Sequence, residues 1–445
     1  MTGEMCSMPA FHNFPRVAVT TLRWGFLLLL LGGSVGSVCA LFLWLLDQAT
    51  DIRFETPWLI FGLPLAGVGV ALLYQWFGGK SAAGNNLIID EIHKPGGGVP
   101  FRMAPLVLFG TVVSHLFGAS VGREGTAVQI GGSFAAAIGR LFRLHVQDMR
   151  LLLMAGIAAG FGAVFGTPVA GAVFGLEVLT LGRLDYAALL PVAVASIVAD
   201  WTCHAWGIHH AVYHVGFRGI AAADGSMFHV NAILLVKVGF AAVCFGLASR
   251  AFADGVHRLA GVFQRLCPSA WIRPAIGGVL TLLLVWILGT RDYLGLGTVS
   301  HVEGGASILN FFGAGYYPWS WFWKLVFTLV ALATGFKGGE VTPLFFIGAG
   351  LGNALSPLLG VPVDLLAGVG FVAVFAGAAN TPLACTFMAV ELFGATDVIY
   401  YATGCFIAYL VSGHTGIYLS QRIGTPKLAL FSKEQGQSLR DVCSR

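Results

Sequence analysis

Apolar residues along this chain come in long unbroken runs, not on one helical face or at alternating positions. The first run extends from Trp24 to Leu46, and others cover roughly 57–77, 101–119, 126–142, 151–176, 186–206, 230–252, 272–289, 321–335, 342–358, 364–379, 382–393 and 398–419. Segments that are apolar all round belong in lipid or in a protein core. The pattern predicts an all-α polytopic membrane protein. Many runs are short or interrupted by Gly or Pro, so they predict broken, tilted helices that stop partway and line a cavity, where irregular backbone survives at membrane depth. The polar stretch from Gly207 to Met227 reads as a midpoint linker. The resulting division is an N-terminal segment (1–23), a first membrane repeat (24–206), a linker (207–229), a second membrane repeat (230–425) and a tail (426–445).

Composition supports this setting. Charged residues make up 10% of the chain, against about 25% in an ordinary soluble domain. At roughly 20 residues per crossing, 445 residues suffice for ten or more. The first run is too long for a signal-peptide core and no small-residue cleavage site follows it, so it reads as a retained helix. Arg16 and Arg23 before it, and Lys427, Lys433, Arg440 and Arg445 in the tail, place both termini in the cytoplasm. The net charge of +4 is small and forms no nucleic-acid patch. Eight scattered cysteines without a CxxC pair read as packing residues, not a disulfide or zinc framework.

Two glycine-framed stretches carry the chemistry: Gly122-Arg123-Glu124-Gly125-Thr126 and Gly338-Gly339-Glu340-Val341-Thr342, each followed by an apolar run. An intramembrane carboxylate is costly and is a functional-site hypothesis by default. Glycines that admit a ligand to the backbone, next to the positive end of a helix, make an anion site. Together they read as an anion and proton pathway. The stretches are also copies. A shift of 216 positions aligns Gly122, Glu124, Thr126 and Gly132 with Gly338, Glu340, Thr342 and Gly348. A shift of 214 aligns Ala159, Phe161, Thr167, Pro168, Ala170 and Glu177 with Ala373, Phe375, Thr381, Pro382, Ala384 and Glu391. The chain reads as a duplication whose binding site lies where the halves meet.

These residues resemble the CLC family of chloride channels and transporters over about residues 20 to 425. Gly122-Arg123-Glu124-Gly125 matches its GREG signature. Gly166-Thr167-Pro168 through Glu177 and Phe375 through Glu391 match the later helices, and Tyr418 falls at the place of the pore tyrosine. The resemblance implies an inverted-repeat bundle and a homodimer with one pore per subunit. It also implies that Glu124 is a gate: ionised, it occupies an anion site; protonated, it swings away with its proton.

The departures are informative. Gly84-Asn85-Asn86 stands where most members carry a serine ligand, GREGP has become GREGT, and Val178 occupies the place of the inner proton glutamate. The second-half element has gained Glu340 and Thr342. This pattern resembles the bacterial fluoride/proton antiporters of the family and implies location in the inner membrane. Fluoride is the most strongly hydrated halide, so stripping its water demands many short donors. Thr126 and Thr342 would add hydroxyls, Asn85 or Asn86 an amide N–H, and a protonated Glu340 a further donor and a proton relay. The anion-binding set is thus Gly84, Asn85, Asn86, Gly122, Arg123, Gly125, Thr126, Val341, Thr342 and Tyr418, with Glu124 and Glu340 for gating and proton transfer.

Each has a plainer alternative. The threonines can bond their own helix backbone, the asparagines can cap a helix, Tyr418 can anchor at an interface, and Arg123 can simply pair with Glu124. Glu177 and Glu391 read as caps or partners of helix ends, and Phe345 and Phe346 as packing. His204, His209, His210 and His214 lie near the linker; they read as an interfacial loop, not as the metal site that the i,i+4 spacing of His210 and His214 suggests. His115 reads as packed. No cofactor and no metal is expected; the expected partners are lipid, protons and a halide, fluoride or chloride. A fluoride/proton antiporter is favoured over a chloride/proton exchanger or passive anion channel. A membrane enzyme lacks a nucleophile, metal triad or nucleotide loop.

Overall fold

A computed structural model of the protein describes residues 14–96, 98–217 and 230–443. Helix dominates, as the need to satisfy backbone polar groups within hydrocarbon requires. The first half holds α1 (Phe14–Glu55), α2 (Leu63–Phe77), α3 (Asn85–His93), α4 (Met103–Leu116), α5 (Glu124–Leu141), α6 (Val146–Phe165), α7 (Pro168–Glu177) and α8 (Leu189–Ala205). The second holds α9 (Ala232–Leu266), α10 (Arg273–Leu288), α11 (Ser320–Thr334), α12 (Val341–Leu359), α13 (Val363–Ala379), α14 (Pro382–Phe393), α15 (Val398–Val411) and the short α16 (Leu439–Cys443). A two-residue parallel ladder pairs Thr180–Leu181 with Arg422–Ile423.

Among the described residues, six helical stretches are long and apolar enough to cross a bilayer, and seven further apolar helices have 10–17 residues. The chain is a multi-pass membrane protein. Helix boundaries depart from the apolar runs in both directions. α1 has 42 residues, roughly 63 Å at about 1.5 Å each, so it continues past the run Trp24–Leu46 and begins inside the stretch read as an N-terminal segment. The run 151–176, by contrast, is two helices. Gly166 adopts a left-handed conformation (φ 70°) that ends α6, and Pro168 starts α7 at the position where its missing N–H costs nothing. Of the linker, 207–217 forms no helix or strand and 218–229 lie outside the described residues. The tail is packed: Leu439 is buried, and Lys427 Nζ donates to the Tyr409 carbonyl at 2.7 Å.

The two halves use the same devices. α5 crosses α6 where a Cβ on Gly131 would collide with the Gly156 carbonyl, and α12 crosses α13 where a Cβ on Gly348 would collide with that of Gly370. Small residues permit such close backbone approach in a membrane, where packing replaces the hydrophobic effect. The halves then cap each other. Glu177, at the end of α7, accepts the Leu383 and Ala384 N–H groups of α14 at 3.1 and 2.8 Å. Glu391 on α14 accepts the Val169 and Ala170 N–H groups of α7 at 2.9 and 2.8 Å. A helix of 10 residues such as α7 is too short to cross a bilayer alone, and the partner's carboxylate satisfies its first amides and the positive end of its dipole.

Two stability changes follow. Gly131→Val overpacks the α5–α6 crossing and should lower stability by about 1–3 kcal/mol or more. Glu391→Gln leaves α7 with a neutral cap and should cost about 1.5–3 kcal/mol. Both are read from thermal unfolding of detergent-solubilised protein; unchanged unfolding temperatures would refute these packing and capping assignments.

Candidate functional site

α5 and α12 begin at the two glycine-framed stretches and meet head to head. The Gly122 N–H donates to the Gly339 carbonyl at 2.6 Å and the Gly339 N–H donates to the Gly122 carbonyl at 2.7 Å, an antiparallel bridge between the repeats. Glycine is needed for this approach. A Cβ on Gly339 would stand 2.7 Å from the Gly125 nitrogen, and one on Gly122 would stand 2.6 Å from Oε2 of Glu124.

Glu124, 1% exposed, fills the space so opened. Its Oε2 accepts the backbone N–H groups of Arg123 at 3.0 Å and Thr342 at 3.1 Å, and its Oε1 accepts the Thr342 hydroxyl. The first-half carboxylate is therefore held at the N-terminus of the second half's α12, where unpaired amides and the helix dipole favour a negative charge. The Arg123 guanidinium lies 3.9 Å from Oε1, at the limit of an ion pair. Three hydrogen-bond donors, one of them the Arg123 backbone N–H, hold the carboxylate at shorter range than the Arg123 guanidinium.

The other sequence-selected residues fall into two groups. Thr342 points at Glu124, not into its own helix. Thr126 points away: its hydroxyl bonds that of Thr111 on α4 at 2.6 Å. Asn85 approaches the site closely enough that a Cβ on Gly125 would stand 3.0 Å from its Nδ2, while its own Oδ1 is buried without a hydrogen-bond partner among the described residues. Asn86 Oδ1 accepts the Ser420 N–H at 3.0 Å, tying the start of α3 to the segment bearing Tyr418. Gly84 sits before α3 at φ 59°, outside the range favoured by side-chain-bearing residues. Tyr418 is buried, its ring edge-on to Phe174 at 6.4 Å. Phe174 continues into Phe161, Phe375, Phe345 and Phe371, an aromatic stack linking α7, α6, α13 and α12.

Two cavities flank the carboxylate. One of about 190 Å³ is lined by Gly84, Asn85, Asn86, Glu340 and Tyr418, with Ser81, Gln129 and Lys337. The other, about 530 Å³, is lined by Arg123 with Asp47, Asp51, Arg53, His209 and His210. Glu124 lines neither, although its neighbour Arg123 lines the second and Glu340 lines the first. Val341, buried at the start of α12, contributes backbone at the same junction. Sequence reasoning missed Gln129, Ser81, Lys337 and Thr111. Gln129 carried a signal, being a polar side chain on a helix otherwise built of small and apolar residues just after Glu124. Lys337 directly precedes the second glycine-framed stretch and Ser81 lies three residues before Gly84, whereas Thr111 comes from a segment that only folding brings to Thr126.

The family model for the voltage gated chloride channel matches residues 66–413. A "Chloride/fluoride channel protein" of Pseudomonas syringae pv. tomato is 52% identical over 405 residues, covering 91% of this chain and 87% of its own. Among solved structures, a CLC-type fluoride/proton antiporter superposes with a TM-score of 0.84 at 32% identity, over 94% of this chain and all of that one. A slow cyanobacterial Cl⁻/H⁺ antiporter at 20% identity shares the fold, with a TM-score of 0.73 over 88% of this chain and 94% of that one.

Removing the Thr342 hydroxyl tests the geometry directly. In Thr342→Val the junction keeps its backbone donors and loses the side-chain one. Since a hydrogen bond to a charged group contributes about 1.5–3 kcal/mol, halide affinity measured by calorimetry in a Glu124→Ala background, where no carboxylate competes for the hydroxyl, should fall by about tenfold or more. Undiminished affinity would place the hydroxyl outside the anion's reach.

Proposed function

Because the chain belongs to the voltage-gated chloride channel (CLC) family, we propose that it is a fluoride/proton antiporter, which expels fluoride by admitting protons. One observation carries this reading: the Glu124 carboxylate occupies a donor set suited to a small halide, next to residues that line two separate cavities. Amides and a hydroxyl that bind a carboxylate oxygen also bind fluoride, the strongest acceptor among halides, so side chain and ion compete for the same donors. When fluoride displaces the carboxylate, the freed Glu124 takes up a proton and carries it as it moves. Exchange then arises because the two occupants exclude each other.

Fluoride loses more hydration than a larger halide does, so a site for it needs the short hydroxyl and amide donors gathered here. The fluoride named in the 52% identical relative and in the 32% identical solved structure supports the same choice. Glu340, lining the Tyr418 cavity, takes the proton on the side where Val178 replaces an acid. Two chains pair as a homodimer in the bacterial inner membrane, each with its own pathway. With both termini in the cytoplasm, α1 runs outward. The Arg123 cavity, which Asp47 and Asp51 at the end of α1 help to line, then opens outside, and the Tyr418 cavity opens inside.

Reconstitution into liposomes tests this. Wild-type protein should release fluoride faster when a pH gradient drives protons inward, and should prefer fluoride to chloride. Glu124→Ala should abolish the response to the gradient while leaving a passive anion leak. A preference for chloride, or fluoride flux indifferent to the gradient in wild type, would favour a chloride/proton exchanger or a passive channel. In Glu340→Gln, proton uptake per fluoride should collapse. Full coupling in that variant would remove Glu340 from the relay.

A further inference from the structure

Beyond the anion path, the structure groups three metal-ligating side chains whose chemistry the transport reading does not use. Asp200 and His204 lie one turn apart on α8, and His210 returns to them from the segment after it. One ligand atom from each lies within 4.8 Å of the others. The histidine pair suggested by sequence spacing, His210 with His214, has no helix beneath it, because 208–217 contains no regular element. The folded chain substitutes His204 for His214 and supplies the acid that the sequence left unidentified.

Three further observations point to a ligand. Nε2 of His210 is buried and has no hydrogen-bond partner among the described residues, and Oδ1 of Asp200 is buried facing the His204 ring. Buried polar atoms of that kind call for an explanation. The His210 ring is wedged where a Cβ on Gly166 would strike it, so it rests on bare backbone at the end of α6. The third member is the exposed one: the His204 side chain is 46% exposed, and its Nδ1 stands 3.3 Å from Asp200 Oδ1 and 3.2 Å from the Asp200 carbonyl oxygen. Ligands around a tetrahedral zinc at about 2.0–2.1 Å lie roughly 3.3–3.5 Å apart, so a small rotation of His204 and His210 closes the set. The Asp200–His204 pair alone would account for two of these groups, but not for His210.

We propose that Asp200, His204 and His210 form a binding site for a divalent transition metal of the zinc class, beside the cavity lined by Arg123 and His210. Two imidazoles and one carboxylate with an open fourth position suit zinc or cobalt, whereas calcium and magnesium require oxygen ligands. A bound dication would pin the segment after α8 to that helix and add positive charge next to the cavity that Arg123 lines.

The test is titration of purified, metal-free protein with Zn²⁺ and with Co²⁺, read by calorimetry and by the visible absorption of tetrahedral cobalt. Wild type should bind one equivalent per chain, with no competition from Ca²⁺ or Mg²⁺. Loss of a supporting partner at a metal site already weakens affinity about 10–100-fold, so loss of a ligand in His204→Ala, His210→Ala or Asp200→Asn should cost at least tenfold. His204→Ala alters an exposed side chain and should leave fluoride flux unchanged, which separates loss of metal from loss of folding. The proposal is overturned by a wild type that binds neither metal, or by unchanged affinity in His204→Ala. It is equally overturned by cobalt absorption that survives in the His204→Ala, His210→Ala double variant.

Discussion

Everything in this molecule is arranged around a carboxylate held by backbone amides inside a membrane. Glu124 belongs to the first half, while the Thr342 amide and hydroxyl that hold it belong to the second. The contact exists only because the two glycine-framed turns exchange a pair of hydrogen bonds and bring two helix N-termini face to face. In water such an arrangement would add little, since solvent would satisfy both partners. Buried in protein within lipid, amides without a partner are expensive and a charge without donors more so. The donors therefore demand an anion, and the only choice left is which one.

The reciprocal caps made by Glu177 and Glu391 obey the same rule without mobility. They too place a carboxylate on the opening amides of a helix from the opposite half. Each of those acids accepts two backbone N–H groups, and neither lines either of the two cavities beside Glu124. Glu124 differs in its surroundings: its neighbour Arg123 lines one cavity, and Glu340, near its donor Thr342 along the chain, lines the other. One interaction type thus fastens the α7–α14 contact and holds Glu124 at the α5–α12 contact. The difference is the space next to the residues around Glu124.

Much of this was legible in the residues. Long apolar runs announced a helical membrane bundle, and the aligned glutamates, threonines and prolines announced a duplication. The glycine-framed motifs marked where the two copies meet, at the Gly122–Gly339 bridge, and the match to the CLC pattern rested on those same positions. Less legible were ends and partners. Runs of equal hydropathy became one 42-residue helix in α1 and two helices separated at Gly166, because a left-handed glycine and a proline end helices locally, whatever the hydropathy around them.

Side-chain direction was beyond sequence altogether. Thr126 and Thr342 occupy equivalent positions in the repeat, yet Thr342 donates to Glu124 and Thr126 bonds Thr111. The two copies meet different neighbours, and neighbours decide where a hydroxyl points. Likewise Gln129, Ser81 and Lys337 joined the Tyr418 cavity from separate segments, and Asp200 joined His204 and His210. The sequence by itself determined the solvent this chain belongs in, its internal symmetry and the identity of its buried acids, because those follow from composition and local order. Only the tertiary structure decided which donors each acid meets, because hydrogen bonds depend on distances between segments that lie far apart along the chain.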